Sequence, residues 1–186
     1  MPEPAIPLRD IDQRWTLFLD RDGVINYEKE DDYIRTPAEF RLYDGVIEAM
    51  AVFARRFGHI FLVTNQRGIG KGLMTGDDLQ AIHQLFGDLI RPMGGRIDRI
   101  YYCPDLDNQS PNRKPNPGMG LQAKAEFPEI DFGRSLMVGN TLSDMQFGKN
   151  LGTYTVFIPS TKPMPELPHP LVDAVYSSLW QLAKAL

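Results

Sequence analysis

Five short apolar runs, each separated from the next by an amphipathic stretch or a polar loop, constrain this chain more than any other feature. They lie at 15–19 (WTLFL), 59–63 (HIFLV), 99–103 (RIYYC), 135–138 (SLMV) and 153–158 (TYTVFI). Runs this short and this apolar fit strands buried on both faces. Between them, 45–57 places Val46, Ile47, Met50, Phe53 and Phe57, and 77–90 places Leu79, Ile82, Leu85, Phe86 and Leu89, at the three-and-four spacing of an amphipathic helix. Thr75 with Asp78 three residues on resembles a capping box at the start of the second. Stretches 119–127 and 143–151 read as shorter helices, and 177–186 as a terminal one. Strands alternating with helices build a parallel sheet covered on both sides, so the expected fold class is α/β: one doubly wound, Rossmann-like parallel-sheet domain. A length of 186 residues suits one domain with one sizeable core. Residues 1–13 are expected as an extended N-terminal arm.

Composition narrows the possible partners. Lys and Arg number 20 against 24 Asp and Glu, and no basic stripe is present, which argues against nucleic acid. No apolar run is long enough for a membrane span, and the N-terminal residues lack the apolar centre of a signal peptide. Cys103 is the single cysteine, which excludes an intramolecular disulfide and an all-cysteine zinc site. A monomer in the reducing cytoplasm, acting on a small metabolite, is expected. With 16 glycines and 15 prolines the chain is rich in shaped loops, where binding chemistry tends to sit. Two proline-rich segments, 104–118 and 159–170, are near the upper length for loops without a function. The first carries Arg113 and Lys114; the second carries no recognisable chemistry.

Four segments at strand ends or in these loops carry groups suited to phosphate and metal. Asp20-Arg21-Asp22-Gly23-Val24 follows the first strand, where open α/β sheets bind ligands, and two carboxylates one residue apart in a tight turn call for a cation such as Mg²⁺. Thr64-Asn65-Gln66 follows the second strand and offers a hydroxyl, an amide and the backbone N–H groups beyond it. Lys114, between Pro111 and Pro115, can present a fixed charge to a phosphate. Gly139-Asn140-Thr141-Leu142-Ser143-Asp144 follows the fourth strand with side-chain oxygens at Asn140 and Asp144. Taken singly, each has a plainer reading: an acidic turn, an ordinary turn, a solvated cation, or a helix cap at Ser143 with Asp144 on the surface. The Gly68–Gly72 stretch lacks the spacing of a nucleotide P-loop and reads as a flexible rim. His59, His83 and His169 have no assigned role.

Taken in order, DRDGV, VTNQ, RKPNPGM and VGNTLSDM resemble the four motifs of the haloacid dehalogenase superfamily of phosphotransferases. TNQRGIGKG and RKPNPGM resemble the subgroup of histidinol-phosphate and D-glycero-D-manno-heptose 1,7-bisphosphate phosphatases. The resemblance implies a phosphatase of that fold, with no room for a separate cap domain. It implies Asp20 as nucleophile, Asp22 as general acid and then base, and Thr64 and Lys114 as holders of the phosphoryl oxygens. Mg²⁺ would be held by Asp20, Asp22 (through its backbone carbonyl), Asn140 and Asp144. Arg21, Glu28, Asn65, Gln66, Arg67 and Arg113 are expected to contact substrate. Two departures stand out. Asn140 occupies a position where the family usually has Asp, so one negative charge is lost, which Asp144 would restore directly or through water; a disabled phosphate-binding relative is the alternative. The loop before Arg113 keeps only Cys103 of the subgroup's Cys/His cluster, so no structural zinc is expected. Arg67 and Arg113 favour a sugar bisphosphate, whereas the acids in 28–32 would suit histidinol phosphate. A receiver-type signalling domain also uses an aspartate, a lysine and Mg²⁺, but lacks a counterpart of Asp22.

Overall fold

Residues 6–186 are described by the computed structural model of the chain. Strands form where the apolar runs lie: β1 (Thr16–Leu19), β2 (His59–Asn65), β3 (Arg99–Cys103), β4 (Ser135–Gly139) and β5 (Tyr154–Phe157). A two-residue strand, β6 (Ala174–Val175), is too short to leave a periodic signal. All six pair in parallel in the order β3-β2-β1-β4-β5-β6. The chain therefore runs outward from β1 on one side and returns to β4 on the other. This reversal opens a crevice beyond the carboxyl ends of β1 and β4, the place where such sheets bind ligands.

Alternation along the strands divides the interior into two layers. Leu17, Leu19, Ile60, Leu62, Leu136 and Val138 face the helices α1 (Val46–Arg56), α3 (Gly76–Ile90) and α6 (Leu179–Ala185). Phe18, Phe61, Val63 and Met137 face α4 (Gly118–Glu126) and α5 (Leu142–Leu151), with Cys103 fully buried in the same layer. Burying apolar side chains on both faces is what stabilises a sheet whose strands are mostly apolar. Thr75 and Asp78 form the expected capping box at the start of α3.

The loops depart from expectation in instructive ways. The stretch read as a flexible rim forms a helical turn, α2 (Arg67–Gly70). It sits so close to the following loop that a Cβ on Gly70 would lie 2.2 Å from the Pro104 carbonyl oxygen. At the start of α5, Thr141 is the cap in place of Ser143, and Asp144 completes a capping box from a buried position, not a surface one. Of the arm expected over 1–13, residues 1–5 lie outside the described residues. Leu8–Asp10 make a 3₁₀ turn between Ile6 and Ile11, both in the core. From β1 to β2 the chain adds the 3₁₀ turn Pro37–Glu39 and α1, and from β2 to β3 it adds α2, α3 and a further 3₁₀ turn, so the described residues form no separate cap over the crevice.

Candidate active site

The crevice at the switch point is a cleft of about 460 Å³. Ten of the residues singled out from sequence line it: Asp20, Asp22 and Glu28 from the first segment; Thr64, Asn65 and Gln66 from the end of β2; Arg113 and Lys114 from the first proline-rich loop; and Asn140 and Asp144 from the turn into α5. Lys29, Asp32, Tyr33 and Asn108 complete its mouth.

The floor is set by backbone geometry. Asp20 leaves the sheet with its N–H still donated to the Val138 carbonyl (2.9 Å), and the chain then turns so that Arg21 O accepts from Ile25 N–H at 2.8 Å. The turn needs Gly23 at φ +79°, both for that left-handed conformation and because a Cβ there would meet Asn140 Nδ2 at 2.0 Å.

Lys114 joins the first and fourth segments. Its ammonium donates to Asp20 Oδ1 (2.8 Å) and Asp144 Oδ1 (2.6 Å), and it is almost wholly buried. Burial disfavours the charged ammonium, but the two carboxylates outweigh it and raise its pKa. Asp20 is pushed up to about 7, by burial first and then by the nearby Asp144, with Lys114 opposing. The lysine is held in turn by Asn65, whose amide accepts from Lys114 N–H (3.1 Å) and donates to Lys114 O (3.2 Å).

Asp22 has a different set of partners. Arg21 donates to both of its oxygens (3.0 and 2.9 Å), Asn26 to Oδ1 (2.9 Å) and Gln66 to Oδ2 (3.0 Å). Burial pulls the carboxyl toward its neutral form, yet Arg21 and the donated hydrogen bonds prevail and hold its pKa below the ordinary value. Two carboxylates one residue apart are thus driven in opposite directions, a pattern that goes with divided chemical roles.

Several residues expected to touch substrate have other work. Arg21 is 1% exposed, does not line the cleft and supports Asp22 from inside the protein. Arg67 does not line the cleft; it ties the proline-rich loop down through Leu106 O (2.9 Å) and Asn108 Oδ1 (2.7 Å). Asn65 and Gln66 line the cleft, but their amides are engaged, Gln66 bridging Thr64 Oγ1 (2.9 Å) and Asp22. Arg113 does face the cleft, held by Asn108 Oδ1 at 3.2 Å. Burial first and the neighbouring Arg67 second lower its pKa. Glu28, raised by burial, lies 3.8 Å from the Lys162 ammonium in the second proline-rich loop.

Both oxygens of Asp144, the carboxylate expected to restore the charge that Asn140 lacks, already have protein partners. One of its oxygens takes Lys114, and the other accepts from Asn140 N–H, Thr141 N–H and Thr141 Oγ1. Asn140 itself is ready to act as a ligand. It is 1% exposed, its amide nitrogen donates to Ser160 Oγ (3.2 Å) and Thr161 Oγ1 (3.3 Å), and its Oδ1 is buried with no partner. A buried carbonyl oxygen without a donor is costly unless something satisfies it, and an oxygen-seeking cation beside Asp20 would. Among the described residues no three His, Cys, Asp or Glu side chains form a metal cluster. These contacts also give the second proline-rich loop a task that its sequence does not reveal.

The chain matches, over residues 111–182, the model of a family described as HAD-hydrolase-like. It is 33% identical over 174 residues to a D-glycero-alpha-D-manno-heptose-1,7-bisphosphate 7-phosphatase of Mycobacterium tuberculosis (strain CDC 1551 / Oshkosh), covering 93% of this chain and 92% of that one. It is 35% identical to a D-glycero-beta-D-manno-heptose-1,7-bisphosphate 7-phosphatase of Rhodopseudomonas palustris, covering 75% of this chain and 81% of the relative. Among solved structures it is similar to a D,D-heptose 1,7-bisphosphate phosphatase from B. bronchiseptica complexed with magnesium and phosphate. That match has a TM-score of 0.80 and 27% identity, and covers 91% of this chain and 96% of the other.

Proposed function

This chain belongs to the haloacid dehalogenase-like phosphatases, and we propose that it removes a phosphoryl group from a sugar bisphosphate through a covalent intermediate on Asp20. One observation carries the reading. Asp20 and Asp22, Thr64, and Lys114, from three separate stretches of chain, converge on one cleft at the topological switch point.

The Asp20 carboxylate attacks phosphorus, its oxygen forming the new P–O bond as the bond to the sugar oxygen breaks. Asp22 gives its proton to the departing alkoxide. Water then attacks the phosphorus of the aspartyl-phosphate while Asp22 takes the water's proton, and the bond to Asp20 breaks to release inorganic phosphate. In the free site Arg21, Asn26 and Gln66 hold Asp22 ionised, the form the second step needs. A dianionic phosphate arriving beside it favours the protonated form that the first step needs. Lys114 and Thr64 hold the phosphoryl oxygens, in a pocket where fixed charges act at short range. Asp20, the Asp22 backbone carbonyl and Asn140 Oδ1 would hold Mg²⁺, which supplies charge neutralisation between the Asp20 carboxylate and the phosphate.

Substrate preference is inferred from Arg113 at the mouth, which offers a guanidinium to a second phosphate, and from relatives named as heptose-1,7-bisphosphate 7-phosphatases. D-glycero-D-manno-heptose 1,7-bisphosphate is therefore the proposed substrate. The same reading takes the chain as a monomeric cytoplasmic enzyme whose one cysteine stays reduced. Phosphate release with Mg²⁺ should be fastest on the heptose bisphosphate in a panel containing sugar monophosphates and histidinol phosphate. A preference for histidinol phosphate would overturn the substrate, and no release from any member would overturn the enzyme.

Asn140 gives a second prediction. Restoring a carboxylate by Asn140→Asp is expected to lower the Mg²⁺ concentration for half-maximal turnover by about tenfold, because a full charge replaces a carbonyl dipole at the cation. A Mg²⁺ titration of both proteins measures this, and unchanged metal dependence would show that position 140 does not touch the cation.

A further inference from the structure

Arg21 is the bulkiest side chain sealed inside the protein, and a guanidinium so placed must satisfy its N–H groups from within. Nε and Nη2 are directed at Asp22, the Phe40 ring lies 6.0 Å from the guanidinium carbon, and Nη1 lies 3.4 Å from His83 Nε2. His83 projects from α3, whose Leu79, Ile82 and Phe86 pack into the core. Phe86 in turn meets the edge of Phe40 at 5.9 Å, so helix, aromatic pair and guanidinium form one packed unit. Because Nη1 has only hydrogens to offer, the nitrogen facing it must carry a lone pair. His83 is then a neutral imidazole with its proton on Nδ1. Burial first, and the Arg21 charge second, hold its pKa down at about 3, in keeping with that state.

We infer that His83 is a positioning residue for the reaction: as a neutral acceptor it anchors Arg21, and through Arg21 it sets the place of the Asp22 carboxyl. The inference rests on the proposal that Asp22 is the general acid. Without His83, Nη1 is left buried beside an apolar helix face, and the guanidinium must turn to find another partner, taking the carboxylate with it. Lys114, the charged phosphoryl-binding group, hydrogen-bonds Asp20 and Asp144 and neither His83 nor Arg21, so the effect should fall more on proton transfer than on phosphate binding.

The leaving group separates these effects. kcat/KM covers only the steps up to loss of the alcohol, which needs a proton when the leaving group is a sugar alkoxide and does not when it is p-nitrophenolate. His83→Phe, which keeps bulk but removes the acceptor, is expected to lower kcat/KM on D-glycero-D-manno-heptose 1,7-bisphosphate by about tenfold, a fraction of the usual general-acid contribution. On p-nitrophenyl phosphate the loss should stay below about twofold. His83→Gln, whose amide oxygen can accept from Arg21, should recover most of the lost rate, and His83→Leu gives the same comparison if the ring of Phe prevents folding. Asp22→Asn sets the reference, with a larger loss of the same selectivity. Equal losses on both substrates, wild-type rates in His83→Phe and His83→Leu, or a Gln variant as impaired as the apolar ones would each overturn the role of His83. An Asp22→Asn enzyme with no leaving-group dependence would instead overturn the assignment of Asp22 itself.

Discussion

Asp20→Asn is expected to reduce phosphate release by on the order of 10⁴-fold or more, the scale of loss seen when a covalent nucleophile is removed. The amide has no anionic oxygen to attack phosphorus, and the two carboxylates beside it, Asp22 and Asp144, are already engaged. Asp22 is held by Arg21, Asn26 and Gln66, and Asp144 by Lys114 and the cap of α5. The fold should survive, because the Asp20 N–H stays on Val138 O and the amide oxygen of Asn can still accept from Lys114. Phosphate release, a thermal melt and a rapid-quench mass spectrum together test this. The variant should melt near the wild type and show no phosphoryl adduct. Residual turnover above about one per cent would point to direct attack by water and remove the covalent intermediate. Asp22→Asn completes the test: a phosphatase loses turnover but can still form the adduct on Asp20 with a good leaving group. In a phospho-accepting switch the same change would have little consequence.

What could be read from the sequence was whatever depends on short stretches of chain. Each of the five apolar runs forms a strand, because a run such as 15–19 has one polar side chain, Thr16, itself buried, and a central strand of a covered sheet buries both of its sides. The Asp20, Thr64, Lys114 and Asn140 segments were legible because the chemistry of phosphate needs those groups after strands or in shaped loops. Whatever depended on which side chain meets which across the fold was hidden. Arg21 looks like a substrate ligand from its place between two aspartates, but alternation after β1 points it inward, onto Asp22 and His83. Asp144 looks like a reserve of charge for the cation until Lys114, 30 residues earlier in the chain, is seen to claim it. His83 carries no local signal, since its partner is 62 residues away and its helix would keep the same apolar spacing with any residue there. The second proline-rich loop gave no chemical hint because its contribution, Ser160 and Thr161 orienting the Asn140 amide, comes from two ordinary hydroxyls.

Lys114→Met should damage both catalysis and stability, and the two losses have one cause. Asp20, Asp144 and an incoming phosphate place three negative groups around a single buried ammonium, and the ion pairs it makes are shielded from water. Met keeps the length of the apolar stem but leaves both carboxylates without their cation. Breaking a buried pair in this way costs about 3–5 kcal/mol, to be read from urea unfolding at pH 7. The deficit should shrink as pH falls. Asp20 is already raised to about 7 with Lys114 present, so without it the folded state takes up protons well above the unfolded value of 3.8. The penalty from Asp20 is then complete only above its folded pKa, beyond about 7, and shrinks steadily as pH falls toward the unfolded value of 3.8. Catalysis should fall by about 10²–10³-fold, the usual cost of losing one group that stabilises developing charge. A loss below about 1 kcal/mol at pH 7 would place the lysine outside the buried network. Lys114→Arg separates charge from shape: a guanidinium can keep both carboxylates paired and so recover part of the stability. Its planar fork cannot occupy the point between Asp20 Oδ1 and Asp144 Oδ1 where the ammonium sits, so the rate should stay low.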